Sequence, residues 1–270
     1  MSIMEKEQTN KEKKESSKAF FIIIVVSISV LILAGLGYLG RMWYIDYASE
    51  KSDEGIEQFI PETTKEQTTL ELLDNPVDFK ALQKKNSDLY AWIKVPGTRV
   101  NYPVAQGDDD GFYLHHDYLK NYLFAGTLYT ELCNKKDFTD PITVIYGHNM
   151  YRSEGTMFTT LHNFEEKKFF DSHKKFTIYT PGHILTYKIF SAFKYDNRHI
   201  MNSFDFSFEK DLKEFQAEML APHSTLKNVR GGTELNNESK VVVLSTCFSG
   251  DKSVRFLVCG VLEKDEPTKQ

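Results

Sequence analysis

The sequence predicts a mainly β domain with added helices, built as a mixed or closed β-barrel of about eight strands. From residue 91 onward, short β-rich runs alternate with turn residues, as in AWIKV, Pro96-Gly97 and RVNYPVAQ. The apolar share of 41% in 270 residues is enough to fill a substantial core. So many short strands in one domain favour a barrel decorated by helices.

Eight runs have the composition of strands. They are AWIKV, RVNYPVAQ, TLYTEL, ITVIYG, FTIYTPG, HILTYKIFSAFKY and the two arms of VVVLSTCFSGDKSVRFLVCGVL, residues 241–262. Apolar spacing predicts two short helices between Leu70 and Leu89, interrupted at Asn75-Pro76, and helical structure between Met157 and Phe169. The long connection 196–239 contains an amphipathic helix predicted to place four side chains on one side: Phe208, Leu212, Phe215 and Met219.

An uncharged stretch near the N-terminus predicts a membrane helix. Residues 19–40 carry no charge over 22 positions, which is enough to cross a hydrocarbon layer of about 30 Å. Lys11, Lys13, Lys14 and Lys18 precede the stretch and only Arg41 follows closely, so residues 1–18 are expected in the cytoplasm. A cleaved signal peptide is the alternative, although no clear A-x-A site follows.

The remaining chain divides by composition into a stalk and a domain. Residues 41–68 are mostly polar and charged, typical of an extracellular stalk whose start continues the membrane helix for a turn or two. Residues 69–270 form the predicted globular domain. A net charge of -5 gives no basic footprint for nucleic acid.

Three cysteines leave at least one free thiol outside the cell. Cys133, Cys247 and Cys259 cannot all pair internally, so a disulfide scaffold is not expected. We interpret Cys133 and Cys259 as structural. Cys247 ends an apolar strand before the turn Ser249-Gly250, where a substrate can reach it, although a buried structural cysteine is the alternative.

Arg255 favours a reactive role for Cys247. A hairpin brings the two strands to about 4.8 Å from each other, so the thiol and the guanidinium become neighbours. A guanidinium in an otherwise apolar strand needs a partner or a developing negative charge, unless it snorkels at the strand end. A thiol also benefits from an imidazole as proton partner. Among eight histidines, His148 ends the apolar strand ITVIYG, as Cys247 ends its own.

The ordered set YGHN, LSTC and a following arginine resembles the signature of the sortases, cysteine transpeptidases of Gram-positive cell envelopes. The resemblance runs from about residue 70 to 262. It includes NSDLYAWIKVPGTRVNYPVAQGDDDGFYL and the helix before the cysteine strand, both similar to class B. The chain departs at Val243-Leu244, where the common motif has Thr-Leu, a difference outside the family's catalytic residues.

The resemblance implies a reaction and a set of roles. Cys247 attacks the threonine carbonyl of a C-terminal sorting signal on a secreted protein, His148 moves the protons, and Arg255 holds the substrate and offsets the tetrahedral oxygen's charge. The acyl group then passes to a peptidoglycan precursor amine, with no metal or other cofactor. Six further positions resemble substrate-binding ones in the family: Ser245, Thr246, Asp110, Leu114, His199 and Ile200.

Other functions stay open at this point. A pilin-polymerising sortase uses a lysine of a pilin as nucleophile, but the lid segment and second apolar stretch frequent in such enzymes are not evident in the sequence. A non-catalytic extracellular binding module and a thiol hydrolase of wall peptides are further alternatives. Asp108-Asp109-Asp110 suggests a cation site, but three carboxylates on one loop are more often only solvated.

Overall fold

The structure, a computed structural model, describes residues 3–59, 72–150 and 155–269. Contacts divide the chain into two compact units, Met1–Tyr47 and Ala48–Gln270. The helices are α1 (Ile3–Glu57), α2 (Phe79–Lys85), α3 (Lys167–Ser172), α4 (Ile200–Ser203) and α5 (Glu209–Leu220), with 3-10 turns at Phe112–Leu114 and Thr159–Glu165. The strands are β1 (Leu73–Asp74), β2 (Leu89–Lys94), β3 (Asn101–Ala105), β4 (Leu128–Tyr129), β5 (Ile142–Tyr146), β6 (Lys175–Thr180), β7 (His183–Tyr195), β8 (Lys227–Val229), β9 (Val241–Phe248) and β10 (Asp251–Lys269).

Eight of the strands close into a barrel. The order of neighbours is β10-β9-β5-β4-β3-β2-β6-β7, and β7 returns to pair with β10. The short strands β1 and β8 add to β10 and β7 outside this ring. The predicted closed barrel with helices, including a helix in the connection before β9, is therefore confirmed.

Strand β9 is buried on both of its faces. Val241 and Val243 belong to the cluster that contains Leu212, Phe215 and Met219 of α5, so this face is the outer one, covered by the connection. Because side chains alternate along a strand, the equally buried Val242 and Leu244 face the barrel interior. Burial on both faces explains why the sequence reads as an unbroken aliphatic run.

Helix α1 contains a segment long and apolar enough to cross a membrane, by length and composition, within Phe20–Glu57. The sequence predicted a stalk over 41–68 with one or two helical turns at its start, but the helix continues to Glu57. In the second unit Ser49 and Ile56 are buried, and Asp53 accepts a hydrogen bond of 3.0 Å from Tyr102. These positions recur at helical spacing and give the polar segment one packed face. Residues 60–68 lie outside the described residues.

One helical prediction at the start of the domain needs correction. The first of the two helices predicted after Leu70 is replaced by β1, which pairs in parallel with Thr268 and Lys269. Asn75 ends it, because its side chain bonds both the Val77 amide and the Thr180 carbonyl. The second predicted helix is confirmed as α2.

The amphipathic prediction for α5 was wrong at one position. Leu212, Phe215 and Met219 are buried as expected, whereas Phe208 precedes the helix as its N-cap residue and is 62% exposed.

The helical prediction around Met157–Phe169 resolves into two pieces, the 3-10 turn Thr159–Glu165 and α3. They are separated at Glu166, whose backbone is extended. Asn228 of β8 donates to the carbonyls of Phe164 and Glu165, at 2.9 Å each. These carbonyls are bound from outside the segment, which accounts for the break.

Candidate active site

Cys247 lies near the end of β9 on the barrel's outer face, as the continuation of Val241, Val243 and Ser245. It is partly exposed and its thiol is free. The buried cluster that α4 and α5 form with this face includes Val241 and Val243 but not Cys247. The thiol is therefore accessible at the edge of that cluster. The hairpin predicted from Ser249-Gly250 is present, with Gly250 at a φ of 86° that favours glycine.

Arg255 is the direct cross-strand partner of Cys247 on β10. Paired residues in an antiparallel ladder place their side chains on the same face, so the thiol and the guanidinium share the outer face. On its other side Arg255 pairs with Tyr195 of β7, one residue before the long connection begins. The predicted neighbourhood of the two side chains is therefore present in the backbone register.

His148 reaches the same place from the third neighbouring strand. β5 runs parallel to β9 with Tyr146 opposite Ser245, and the Gly147 amide donates to the Ser245 carbonyl at 3.1 Å. His148 follows two residues after the end of β5, at the same end of the barrel where the neighbouring strand β9 carries Cys247. The residues that the sequence singled out thus follow or end neighbouring strands at one end of the barrel.

The imidazole of His148 is held in a defined orientation. Its Nε2 lies 2.9 Å from the carbonyl oxygen of Leu114, and because a carbonyl only accepts, Nε2 carries the hydrogen. The rings of His115 and Phe124 stack against it, with centroids 5.7 and 5.5 Å away. Nε2 is therefore committed to the Leu114 carbonyl.

A strip of aromatic rings continues from the cysteine along the outer face. Tyr146 stacks on Tyr129 at 5.5 Å and on His199 at 5.6 Å. Burial and the nearby Glu131 raise the pKa of Tyr129 to about 12, while Arg255 opposes the rise. Tyr129 thus lies between Arg255, at one end of the strip, and the Glu131 carboxylate at the other end.

Glu131 and His199 connect the two sides of the strip. His199 Nε2 lies 2.8 Å from Glu131 Oε1, and the carboxylate side chain is only 8% exposed. Burial raises the pKa of Glu131, with His199 acting against the rise. Since His199 is the N-cap residue of α4, this pair ties the long connection to the segment after β4.

The six residues predicted to bind substrate fall into two groups. Asp110 and His199 are exposed, Leu114 is half-buried, and Asp110 accepts a hydrogen bond of 2.7 Å from the Leu132 amide. Ser245, Thr246 and Ile200 are buried, with exposed fractions of 3%, 2% and 2%. Their side chains therefore lie beneath the surface.

The other two cysteines differ from each other. Cys259 is fully buried, as interpreted from the sequence, and burial raises its pKa. Cys133, also interpreted as structural, is instead exposed on the segment after β4, with Sγ 3.9 Å from Glu131 Oε2. The polar composition of NKKDFTDP around it was the available signal.

Sequence reasoning missed the contacts made behind the cysteine. The Cys247 carbonyl lies 3.1 Å from Asn149 Nδ2 and 3.1 Å from His162 Nε2. Asn149 directly follows His148 in the sequence, which was a usable signal. His162 was assigned only to a helical face, and it lies 85 positions from Cys247.

Comparison with known proteins agrees with this arrangement. The sortase domain family matches residues 93–263. Sortase B of Staphylococcus aureus is 26% identical over 229 residues, covering 84% of this chain and 89% of its own. The crystal structure of Clostridium perfringens sortase B is 31% identical with a TM-score of 0.60, covering 69% of this chain and all of its own. A Streptococcus pyogenes class B sortase described as involved in pilus biogenesis is 31% identical with a TM-score of 0.58, covering 69% and 98%.

The chain belongs to the sortase family. Its relatives by sequence and by structure are sortases of class B, and the helix-bearing connection before β9 fits that class. The protein is therefore a class B cysteine transpeptidase.

Proposed function

We propose that this transpeptidase cleaves a C-terminal sorting signal after threonine and transfers the protein to a peptidoglycan amine. The observation that carries the proposal is the pairing of a partly exposed Cys247 with Arg255 at the uncovered end of the barrel's outer face. A thiol in this position accepts an extended peptide along the strip of Tyr146 and Tyr129.

The first half of the reaction forms a thioacyl enzyme. Cys247 Sγ, as thiolate, attacks the threonine carbonyl carbon, and the carbonyl oxygen takes the negative charge. Arg255 offsets that charge, a role suited to its planar set of donors. The C–N bond then breaks, and His148 gives its Nδ1 proton to the departing amine.

The second half returns the enzyme to its starting state. An incoming amine attacks the thioester carbon and loses a proton to Nδ1 of His148. The C–S bond breaks and the Cys247 thiolate is released. The hydrogen bond from Nε2 to the Leu114 carbonyl supports this assignment, because it keeps Nδ1 as the exchanging nitrogen in both halves.

The substrate is assigned to the cleft beside the aromatic strip. Asp110 and His199 are exposed there, and we assign them direct contact with the sorting signal together with Leu114. Ser245, Thr246 and Ile200 support the pocket from below, as their burial suggests. The partners are secreted proteins with a sorting signal and a peptidoglycan precursor.

The N-terminal segment is assigned as a single-pass membrane anchor. The apolar part of α1 fits such an anchor. Five lysines before it, against one arginine closely after it, support a cytoplasmic N-terminus and an extracellular catalytic domain.

A second candidate function is polymerisation of pilin subunits. It is supported by the S. pyogenes relative involved in pilus biogenesis, which is as identical to this chain as the C. perfringens sortase B. The two functions share the thioacyl step and differ in the amine that resolves it.

The test uses the full chain in detergent micelles with a library of sorting-signal peptides. Product masses identify the cleaved bond, and added amines, either a glycine peptide or a lysine side chain in a pilin-like peptide, identify the acceptor. We expect Cys247→Ala to abolish turnover and Cys133→Ala to preserve it. Undiminished cleavage by Cys247→Ala would reject the assignment, and preference for the lysine peptide would select the pilin function.

A further inference from the structure

Side chains bind the carbonyl of Cys247 at the point where the backbone hydrogen bonds between β5 and β9 end. The Gly147 amide bonds the Ser245 carbonyl as the last backbone contact between β5 and β9. The next carbonyl along that edge belongs to Cys247, and the chain after β5 has left the sheet there. Asn149 Nδ2 and His162 Nε2, each at 3.1 Å, take the place of the missing backbone donor.

His162 is itself fixed on several sides. Its Nδ1 lies 2.5 Å from Glu165 Oε1, and its side chain is 13% exposed. The ring stacks on Phe256 with centroids 5.0 Å apart and meets the edge of Phe248 at 5.8 Å. An imidazole held in this way has one orientation available, with Nε2 directed at β9.

Asn149 and His162 bind the carbonyl together. Because the Glu165 carboxylate accepts the hydrogen on Nδ1, a neutral ring has a lone pair on Nε2, which accepts from Asn149 Nδ2 at 3.0 Å. Asn149 Nδ2 shares its two hydrogens among this nitrogen, the Cys247 carbonyl at 3.1 Å and Ser249 Oγ at 2.9 Å. The pair therefore acts as one clamp.

Holding this carbonyl orients the thiol. The peptide after Cys247 is planar, so holding its C=O limits the backbone torsion ψ of Cys247 and thereby places the Cα and Cβ atoms from which the thiol projects. On the turn side the β9–β10 register is irregular between Asp251 and Arg255, so the clamp adds a constraint there.

We propose that His162, oriented by Glu165 and acting with Asn149, is a positioning residue for Cys247. This inference rests on the proposed role of Cys247 as nucleophile. It concerns the placement of the thiol and requires no contact between His162 and the substrate.

The experiment compares variants of the full chain in detergent, using the cleaved peptide from the library. His162→Phe keeps a ring on Phe256 and removes both ring nitrogens. His162→Gln removes the ring and keeps an amide that can both donate and accept a hydrogen bond. His173→Phe is the control, because His173 also stacks on a phenylalanine, Phe169 at 3.8 Å, in the next helical segment. Steady-state kinetics and the unfolding temperature are measured for each variant.

We expect His162→Phe to lower kcat about tenfold, the effect of losing one oriented hydrogen bond, with KM within about twofold. His162→Gln restores kcat to within about threefold of the parent, and His173→Phe leaves it unchanged. An unchanged kcat in His162→Phe, or an equal loss in His162→Gln, overturns the inference. If His162→Phe does not fold, the His162→Gln result together with a loss in Asn149→Ala decides. Activity in Cys247→Ala would instead indicate failure of the proposed function.

Discussion

Cys247 and Arg255 form a non-hydrogen-bonded cross-strand pair between β9 and β10. The Cys247 carbonyl is directed toward β5, where Asn149 and His162 bind it, so it does not bond across to Arg255. In such non-hydrogen-bonded pairs the Cα atoms are about 4.5 Å apart and the side chains are at their closest. The ladder geometry, together with the register shift between Asp251 and Arg255, thus brings a cation to the thiol.

The substitution Arg255→Lys tests whether the guanidinium beside the Cys247 thiol contributes to the reaction. The variant keeps the charge but loses the planar set of donors, so we expect kcat to fall about 10²-fold. Arg198→Lys is the control, since Arg198 is an exposed partner of Asp196, and its kcat should stay within about twofold. Equal kinetics for the two variants would contradict a role in stabilising the oxyanion.

Gly147→Ala tests the support of His148. A methyl group at 147 would collide with the Leu128 side chain and the Phe158 ring. Overpacking of this kind costs about 1–3 kcal/mol, and the displaced backbone carries His148 with it. We expect a lower unfolding temperature together with a lower kcat.

Gly231→Ala supplies the matched comparison for that substitution. No atom lies within 4 Å of a Cβ placed there, so activity and unfolding temperature should be preserved. A Gly147→Ala protein with normal kcat would show that His148 does not depend on the packing beneath it.

Alkylation should distinguish the three thiols. Burial raises the pKa of Cys259 and also blocks its access, so iodoacetamide at pH 8 should leave it unmodified in the folded protein. Peptide mass spectrometry should find label on Cys247 and on Cys133. Loss of activity should follow Cys247 labelling and be unchanged in Cys133→Ser. Labelling of Cys259 before unfolding would contradict its burial.

Glu131→Gln should change how stability depends on pH. Burial raises the pKa of Glu131, so the folded state keeps this proton to a higher pH than the unfolded state, where the pKa is about 4.3. The resulting stabilisation is complete below that value and is lost as pH rises through the raised pKa. Glutamine has no such titration and still accepts from His199.

We therefore expect Glu131→Gln to gain a few degrees of unfolding temperature over the parent at pH 7.5, and less or nothing near pH 4. Glu238→Gln, on an exposed loop, should show no pH-dependent difference. A parent more stable than Glu131→Gln at pH 7.5 would mean that the ion pair with His199 outweighs the cost of burial.

Most strands of the barrel could be predicted from the sequence, together with the elements that carry the proposed catalytic residues. β5 and β9 are aliphatic runs buried along most of their length, and the turn Ser249-Gly250 marks the hairpin between β9 and β10. The strands that carry Cys247 and Arg255 could therefore be found from local patterns, whereas the register shift between Asp251 and Arg255, which makes these two residues partners, could not. Local patterns also suffice for α2 and α5.

The remainder depends on contacts between distant segments. The clamp on Cys247 joins His162 to a strand 85 positions away, and the break before α3 depends on Asn228 of β8. The polar end of α1 is stabilised by Tyr102, 49 positions beyond Asp53. Hydrophobic periodicity does not reveal such pairs, because each partner, considered alone in the sequence, resembles an ordinary surface residue.

Strand β10 lies between β9 and β7 at the position of Arg255 and belongs to a ladder with each of them. Its main chain cannot shift during turnover without breaking two ladders at once. The guanidinium must therefore follow the reaction by rotating about its own side-chain bonds. Movement of the main chain is left to the segments that leave the barrel.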